Sequence, residues 1–188
     1  PKLRVSLGWL CPKLGSNAFD STAILNAPLS AAAAYKYSPN WHEGTSSNYR
    51  EWEKYYNQIT FIDDIMKIST KALSDKSGIE NVIGATEVSK VTGLKVTGTI
   101  NSYDIFIIRT KMYDLHYLDL SDADIVACDF PYYEDYHTSD NEVGACAFYG
   151  LKNLISLRLP QKAKVIGFAA VGSCDNLCEV ILPEKLEE

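Results

Sequence analysis

A motif near the C-terminal end of this chain occurs twice, and its spacing limits the possible folds more than any other feature. Leu151-Lys152-Asn153-Leu154-Ile155-Ser156-Leu157-Arg158-Leu159-Pro160 returns as Cys174-Asp175-Asn176-Leu177-Cys178-Glu179-Val180-Ile181-Leu182-Pro183, with Leu177 answering Leu154. A second motif keeps the same offset: Gly144, Ala147 and Phe148 return as Gly167, Ala170 and Val171. The shared period, about 23 residues, falls among those of repeat architectures built from one supersecondary unit per turn. Upstream, Met112-Tyr113-Asp114-Leu115-His116-Tyr117-Leu118-Asp119-Leu120 fits the same L-x-x-L-x-x-L-x-L frame, but Leu115 stands well over one period before Leu154. The excess is read as an insertion near 126–141, since the pattern lapses from Cys128 to Asn141. At the other end, Arg4-Val5-Ser6-Leu7-Gly8 through Leu14-Gly15-Ser16-Asn17-Ala18-Phe19 aligns without gaps on Ser156 to Pro160 through Ile166 to Val171. The chain opens inside one repeat and closes inside another.

Within each repeat, Leu157/Leu159 and Val180/Leu182 alternate with Arg158 and Ile181, so a short strand presents its leucines to one side. One such strand cannot bury that side alone. Stacking repeats buries it against the next, which predicts an α/β leucine-rich repeat solenoid with short parallel strands, irregular return segments and a few short helices. The glycine of each G-x-x-A-F is expected to allow a tight bend on the return side. The outer face of the sheet should carry Tyr117/Asp119, Ser156/Arg158 and Glu179/Ile181, with Asp119, Arg158 and Glu179 as an alternating-charge column. The apolar edge of the last turn, Val180, Leu182 and Leu186, should be covered by a further repeat or a neighbouring molecule.

VGACAFYGLKNLISLRLP and IGFAAVGSCDNLCEVILP resemble the BspA-like leucine-rich repeats of bacterial cell-surface proteins, with Val171 in place of the Phe and Leu151 in place of the Cys in one copy each. Val91 to Asn101 through Leu118 to Ala123 is similar to the opening module of such arrays, in which Asn101 or Ser102 caps a helix whose Ile105, Ile108 and Met112 face the core. Thr22 to Pro28, Ala31 to Lys36 and Trp52 to Phe61 resemble the segment that ends them, with Ser30 as N-cap and Trp52, Tyr55 and Tyr56 on one helical face. This chain departs from that pattern by inserting roughly Ser38 to Tyr49. The expected organisation is a partial repeat with an array-end segment over 1–62, a connecting segment over 63–90 in which Ile79, Val82 and Ile83 share a helical turn, and a repeat module over 91–188. The resemblance implies a cell-surface or secreted location and an adhesive role.

Composition removes several other functions. With 18 basic and 24 acidic side chains the net charge is −6, which disfavours nucleic acid and anionic membranes as partners. No apolar run is long enough to span a bilayer, so no membrane insertion of this segment is expected. Pro1-Lys2-Leu3-Arg4 lacks both an initiator Met and the shape of a signal peptide, which suggests a processed or excised piece of a longer protein. The five cysteines contain no C-x-x-C pair, and Cys174 and Cys178 have no nearby His; they read as buried thiols, with no metal or cofactor expected.

No G-x-S-x-G elbow, phosphate loop or H-E-x-x-H motif occurs, and His42, His116 and His137 are scattered, His116 being expected at the surface. A Cys128/His137 nucleophile pair lacks an orienting partner. The insertion, Asp129-Phe130-Pro131-Tyr132-Tyr133-Glu134-Asp135-Tyr136-His137 with Asp140, lacks the D-x-D-x-D-G calcium spacing. Tyrosines offer rigid amphipathic contact area, so Tyr132, Tyr133 and Tyr136 are the leading binding candidates, with Tyr117, Asp119, Arg158 and Glu179 as a recognition face, unless the rings fold back over the array. The expected function is a non-enzymatic module that binds protein or glycan. A spacer displaying another domain is the alternative, and a hydrolase using Glu134 or Asp135 the remotest. Oligomeric contacts, if any, would use the uncapped repeat ends.

Overall fold

Nearly all strand pairing here is parallel, and neighbouring strands follow one another in chain order. The computed structural model describes residues 3–11, 22–37, 56 and 58–187, in two units, Pro1–Asp64 and Ile65–Glu188.

In the first unit, β1 (Arg4–Ser6) pairs with β2 (Ile24–Pro28), which is followed by a 3-10 turn (Leu29–Ala31), helix α1 (Ala32–Lys36) and β3 (Ile59–Ile62) on the far side of β2. Alternation in β2 sends Leu25 and Ala27 inward, where both are buried, and Pro28 ends the strand. Tyr35 of α1 is fully buried and donates its hydroxyl to the Gly8 carbonyl at 2.7 Å. Its ring meets Phe61 edge-on at 6.0 Å. Ser30 is not the helix N-cap: it lies inside the 3-10 turn, where its N–H and hydroxyl both donate to the Asp64 carboxylate. Trp52, Tyr55, the loop 38–49 and the stretch from Leu14 to Phe19 lie outside the described residues.

The second unit begins with β4 (Ile65–Thr70), α2 (Gly78–Ile83), a 3-10 turn (Val88–Lys90), β5 (Gly93–Ile100), α3 (Ser102–Lys111) and β6 (Tyr117–Ile125). It continues with the hairpin β7 (Cys128–Tyr133) and β8 (Tyr136–Thr138), then β9 (Glu142–Val143), β10 (Ser156–Arg158), β11 (Val165–Ile166) and β12 (Glu179–Ile181). β4, β5, β6, β10 and β12 form a five-stranded sheet, every pair parallel. Ser156 pairs with Glu179, Leu157 with Val180 and Arg158 with Ile181, each with its own counterpart in the next repeat, while β6 joins the same register across the insertion, Tyr117 opposite Ser156 and Asp119 opposite Arg158. Residues 65–90 therefore contribute β4 and α2 to this unit. In α2, Ile79 is buried but Val82 is exposed.

One backbone device recurs at three successive steps, from β5 to β12. The Thr92 carbonyl accepts from the N–H groups of His116 and Tyr117, the His116 carbonyl from Ile155 and Ser156, and the Ile155 carbonyl from Cys178 and Glu179, all at 2.7–3.2 Å. The first unit follows the same geometry: Leu7 N–H donates to the Asn26 carbonyl as Leu159 N–H donates to that of Ile181. Inside this ladder Leu94, Leu118 and Leu157 stand in one row, all fully buried, and each such burial contributes roughly 1.5–3 kcal/mol. The row ends at Val180, which is only partly covered, and Leu182 and Leu186 beyond it are 52% and 42% exposed.

Helix α3, which connects β5 to β6, adds Ile105, Ile107 and Ile108 to the core. Asn101 caps it in a full capping box, accepting from Tyr103 N–H at 3.0 Å while its own N–H donates to Asp104 at 3.0 Å. Asp104, fully buried, also accepts from Ser77 Oγ and Ile79 N–H, so one carboxylate joins the starts of α2 and α3. Burial pushes its pKa up despite these bonds. Ile105, Ile108 and Met112 face the core as the capped helix requires.

On the return side β9 pairs with β11, and Cys146, Phe148 and Gly150 N–H groups donate to Phe168, Ala170 and Gly172 carbonyls. The left-handed residues here are Cys146 and Ala169, then Gly150 and Ser173, each pair one period apart. Gly144 and Gly167 are not the left-handed positions. A Cβ on Gly167 would lie 2.5 Å from Ala145 N, and one on Gly144 2.3 Å from the Tyr132 hydroxyl. Glycine is needed at these positions because neighbouring segments approach too closely for a side chain. Gly167→Ala should therefore cost about 2 kcal/mol or more, because backbone must move. Gly150→Ala, at φ 79 with open space around its Cβ, should cost about 1 kcal/mol from backbone strain alone. Urea unfolding compares them; equal costs would refute the close-approach account.

Candidate ligand-binding surface

The insertion folds as a hairpin because Thr138 and Ser102 interlock at its base. Thr138 N–H donates to Ser102 Oγ at 2.9 Å, Ser102 N–H donates to Thr138 Oγ1 at 3.2 Å, and Thr138 Oγ1 donates onward to the Val126 carbonyl. Both residues are buried, so these bonds are shielded from water. Phe130 stacks on Tyr103 of α3 at 4.0 Å and meets Phe106 edge-on at 5.6 Å. Asn101, Tyr103, Val126, Asp129 and Phe130 line a cleft of about 660 Å³ at the hairpin base. Asp140 accepts from Ala127 N–H, while Glu134 and Asp135 form the exposed tip, Glu134 at φ 48.

The three tyrosines of the insertion part company. Tyr132 is buried, 2% exposed, and donates its hydroxyl to the Ala145 carbonyl at 2.7 Å. Burial and the nearby Cys146 and Glu142 push its pKa up to about 12. It is a core residue that fastens the hairpin to the return side, which corrects its expected role in binding. Tyr133 and Tyr136 form a surface row instead. Their rings lie 6.4 Å apart at 20°, and Tyr149, from the return side of the following repeat, lies 6.3 Å from Tyr133 at 22°. Tyr136 and Tyr149 are each more than a third exposed.

Arg109, from the last turn of α3, holds this row in place. Its guanidinium sits 4.4 Å from the Tyr133 ring centre, and Nη1 donates to the Cys146 carbonyl. A cation over an aromatic face contributes about 0.5–2 kcal/mol, more where water is excluded. Burial lowers the guanidinium pKa, opposed by the Tyr133 phenol and neighbouring groups. The Tyr133 phenol is pushed up, chiefly by Glu134. Three near-parallel rings with a fixed cation can stack on a flat apolar or sugar face and hydrogen-bond through their hydroxyls.

No protein-family model matches this chain, and no curated protein matches it.

On the outer face of the sheet, Asp119, Arg158 and Glu179 do not form one column. Register places Asp119 with Lys95, Arg158 and Ile181, and Glu179 with Tyr117 and Ser156, because Glu179 is out of step with the other two along the strand. Asp119 is buried, 3% exposed, and fully engaged by Ser121 N–H at 2.9 Å, Ser121 Oγ at 2.6 Å, Tyr117 Oη at 3.2 Å and Lys95 Nζ at 3.3 Å. It ties Tyr117 and Ser121 of its own strand to Lys95 of β5, beside the register shift between β5 and β6, which corrects its placement on a recognition face. Glu179 accepts from Ser156 Oγ at 3.0 Å, Tyr117 is partly covered, and Arg158 is exposed. His116 is buried too, because it shares the inward phase of Leu118 and Leu120 and the repeat position of Ile155.

Sequence reasoning missed Arg109 and Tyr149. The repeat frame held a signal for Tyr149: the position after an inward Phe148 points outward, and one period later it is Gly172, which leaves room for the ring. Arg109 carried no signal, since a basic residue in the last turn of a helix is ordinary.

Burial by itself would raise the Asp119 pKa, but the bonds from Ser121 and Lys95 outweigh it and hold the carboxyl below its ordinary value. The folded chain thus favours the ionised form, and the stability this gives is present at neutral pH and lost as pH falls through the lowered pKa. Asp119→Asn should cost about 1–3 kcal/mol at pH 7. The gap between variant and wild type, followed by urea unfolding, should close as the solution is acidified below about pH 4. A gap independent of pH would refute the ionised anchor.

Proposed function

We propose that this chain is part of a leucine-rich repeat solenoid of the BspA-like kind, acting as a non-enzymatic module that binds protein or glycan at a bacterial surface or in secreted form. The observation that carries the reading is the Tyr133/Tyr136/Tyr149 row with Arg109 fixed over its centre. The one-repeat strand registers and the recurring carbonyl device support the solenoid part. Rigid rings lose little entropy on binding, and their hydroxyls supply polar contact in a wet interface. The site lies where an insertion interrupts the period, and loops on a regular scaffold are where binding function concentrates.

A spacer role is the second reading, favoured by the burial of Tyr132 and Asp119, which turns two surface candidates into structural parts. Binding to arrays of glycans and extracellular-matrix proteins separates the two. A saturable ligand should bind wild type and Tyr132→Phe alike, whereas Tyr133→Ala with Tyr136→Ala should weaken it about tenfold or more, a typical cost of losing aromatic anchors. No saturable ligand, or a ligand indifferent to the double variant, would favour the spacer.

A further inference from the structure

Arg109 is a half-buried cation whose charge the second unit leaves unanswered. Its guanidinium packs on the Tyr133 ring and Nη1 donates to the Cys146 carbonyl; among the described residues it has no other hydrogen bond and no carboxylate partner. Charges taken out of water are ordinarily paired, because their desolvation is costly. Here that cost shows as the lowering of the guanidinium pKa by burial. The Nε and Nη2 edge, which can grip a carboxylate through two parallel bonds, has no partner among the described residues.

Arg109 also lines a pocket of about 230 Å³ between the end of α3 and the turn at 150–153. The buried Met112, Leu115 and Leu151 give it apolar walls, and Tyr113 and Lys152 are its exposed parts. Among the described residues, no Asp or Glu lines it. Lys152 meets Asp175 at 3.5 Å, but both side chains are well exposed, so the pair is weak and leaves Lys152 available. Asn153 Nδ2 donates to the Tyr113 carbonyl, which leaves Oδ1 as an acceptor. Two cations, an acceptor and apolar walls around a space of this size suit one small amphipathic anion.

We infer that this pocket holds one acidic sugar, a hexuronic acid, with its carboxylate on Arg109 and Lys152 and a ring hydroxyl donating to Asn153 Oδ1. The inference rests on the reading of the Tyr133 row as a glycan-binding surface, with which the pocket shares Arg109, and it makes that glycan an anionic one. A sugar suits the site better than an acidic peptide side chain. Asn153 Oδ1 is an acceptor, and so are the last carbonyls of α3, which have no partner within the helix; sugar hydroxyls supply donors that an ionised Glu or Asp side chain lacks. The near-parallel rings beside Arg109 give flat faces on which further sugars of the same ligand can stack. A single carboxylate needs only local cations, so the net charge of −6 does not exclude it.

An NMR titration of the whole chain, followed at the backbone amides, tests this with glucuronate, glucose and acetyl-glutamate amide at pH 7. Glucuronate should move the Gly150, Leu151, Lys152 and Asn153 amides saturably, and glucose, which lacks the carboxylate, should bind about tenfold more weakly or worse. Arg109→Gln should bring glucuronate down to the level of glucose. Because Arg109 also supports the tyrosine row, Lys152→Glu provides a second variant on an exposed side chain; it should weaken glucuronate about threefold or more and leave glucose unchanged. The amide spectrum itself shows whether each variant is folded. Equal binding of glucuronate and glucose, a preference for glucuronate that survives both variants, or no binding of either sugar would overturn the inference. Acetyl-glutamate amide binding as tightly as glucuronate would overturn it in favour of an acidic peptide. The tyrosine row is judged separately, by its own double variant on glycan arrays. Glucuronate held at 150–153 beside a row that binds nothing would keep the pocket and lose the row, whereas a glycan that needs the row but carries no acid would do the reverse.

Discussion

The second unit is organised around one carbonyl oxygen per repeat. Thr92, His116 and Ile155 have unlike side chains and stand at unequal intervals, yet each carbonyl accepts from the two residues that open the next strand. Because the bond belongs to the backbone, it tolerates variation at that position, and its cost in chain entropy is local to one step. What it fixes is register. Once those two N–H groups are held, alternation sends Leu118, Leu157 and Val180 inward in one row, and a slip of one position would turn every leucine to water. Burial in this row then accumulates strand by strand between neighbours in the parallel sheet.

This arrangement explains how the chain accommodates the insertion near 126–141 without losing the sheet. The hairpin leaves after β6 and returns before β9, and the bonds that define the next strand lie outside it. Its own stability comes from elements that do not repeat: Ser102 and Thr138 at the base, Phe130 between Tyr103 and Phe106, and Tyr132 bonded to Ala145. Each is a side-chain contact to α3 or to the return side. A two-stranded hairpin alone is marginal in water, so these anchors make it a fixed platform.

The parts legible in the sequence are those governed by the period. Strand registers and the direction of the leucines follow from spacing, since backbone geometry converts spacing directly into position, while the cap, expected at Asn101 or Ser102 from the resemblance, falls at Asn101. The illegible parts depend on distances between segments far apart in the chain. Gly144 and Gly167 repeat visibly, but whether a glycine serves a bend or a close approach is decided by what lies above it, and here that is Tyr132 and Ala145. β4 has no clear signal of its own, because Ile65-Met66-Lys67-Ile68-Ser69-Thr70 shows no clean alternation; its pairing is decided by β5, to which it adds as the sheet's edge. Ser30 has the composition of a cap, but the Asp64 carboxylate claims it first.

The same division accounts for which tyrosines reach the surface. Tyr132 and Tyr133 are adjacent, so a strand must send them to opposite sides, and only one can lie against Ala145 and Gly144. Tyr132 takes that place because Gly144 leaves the space its hydroxyl fills. Tyr133 is thereby turned toward Arg109 and Tyr149, which come from two other levels of the chain. A glycine kept by the repeat thus selects the exposed ring of the insertion, and the periodic scaffold shapes the surface where its period is broken near 126–141.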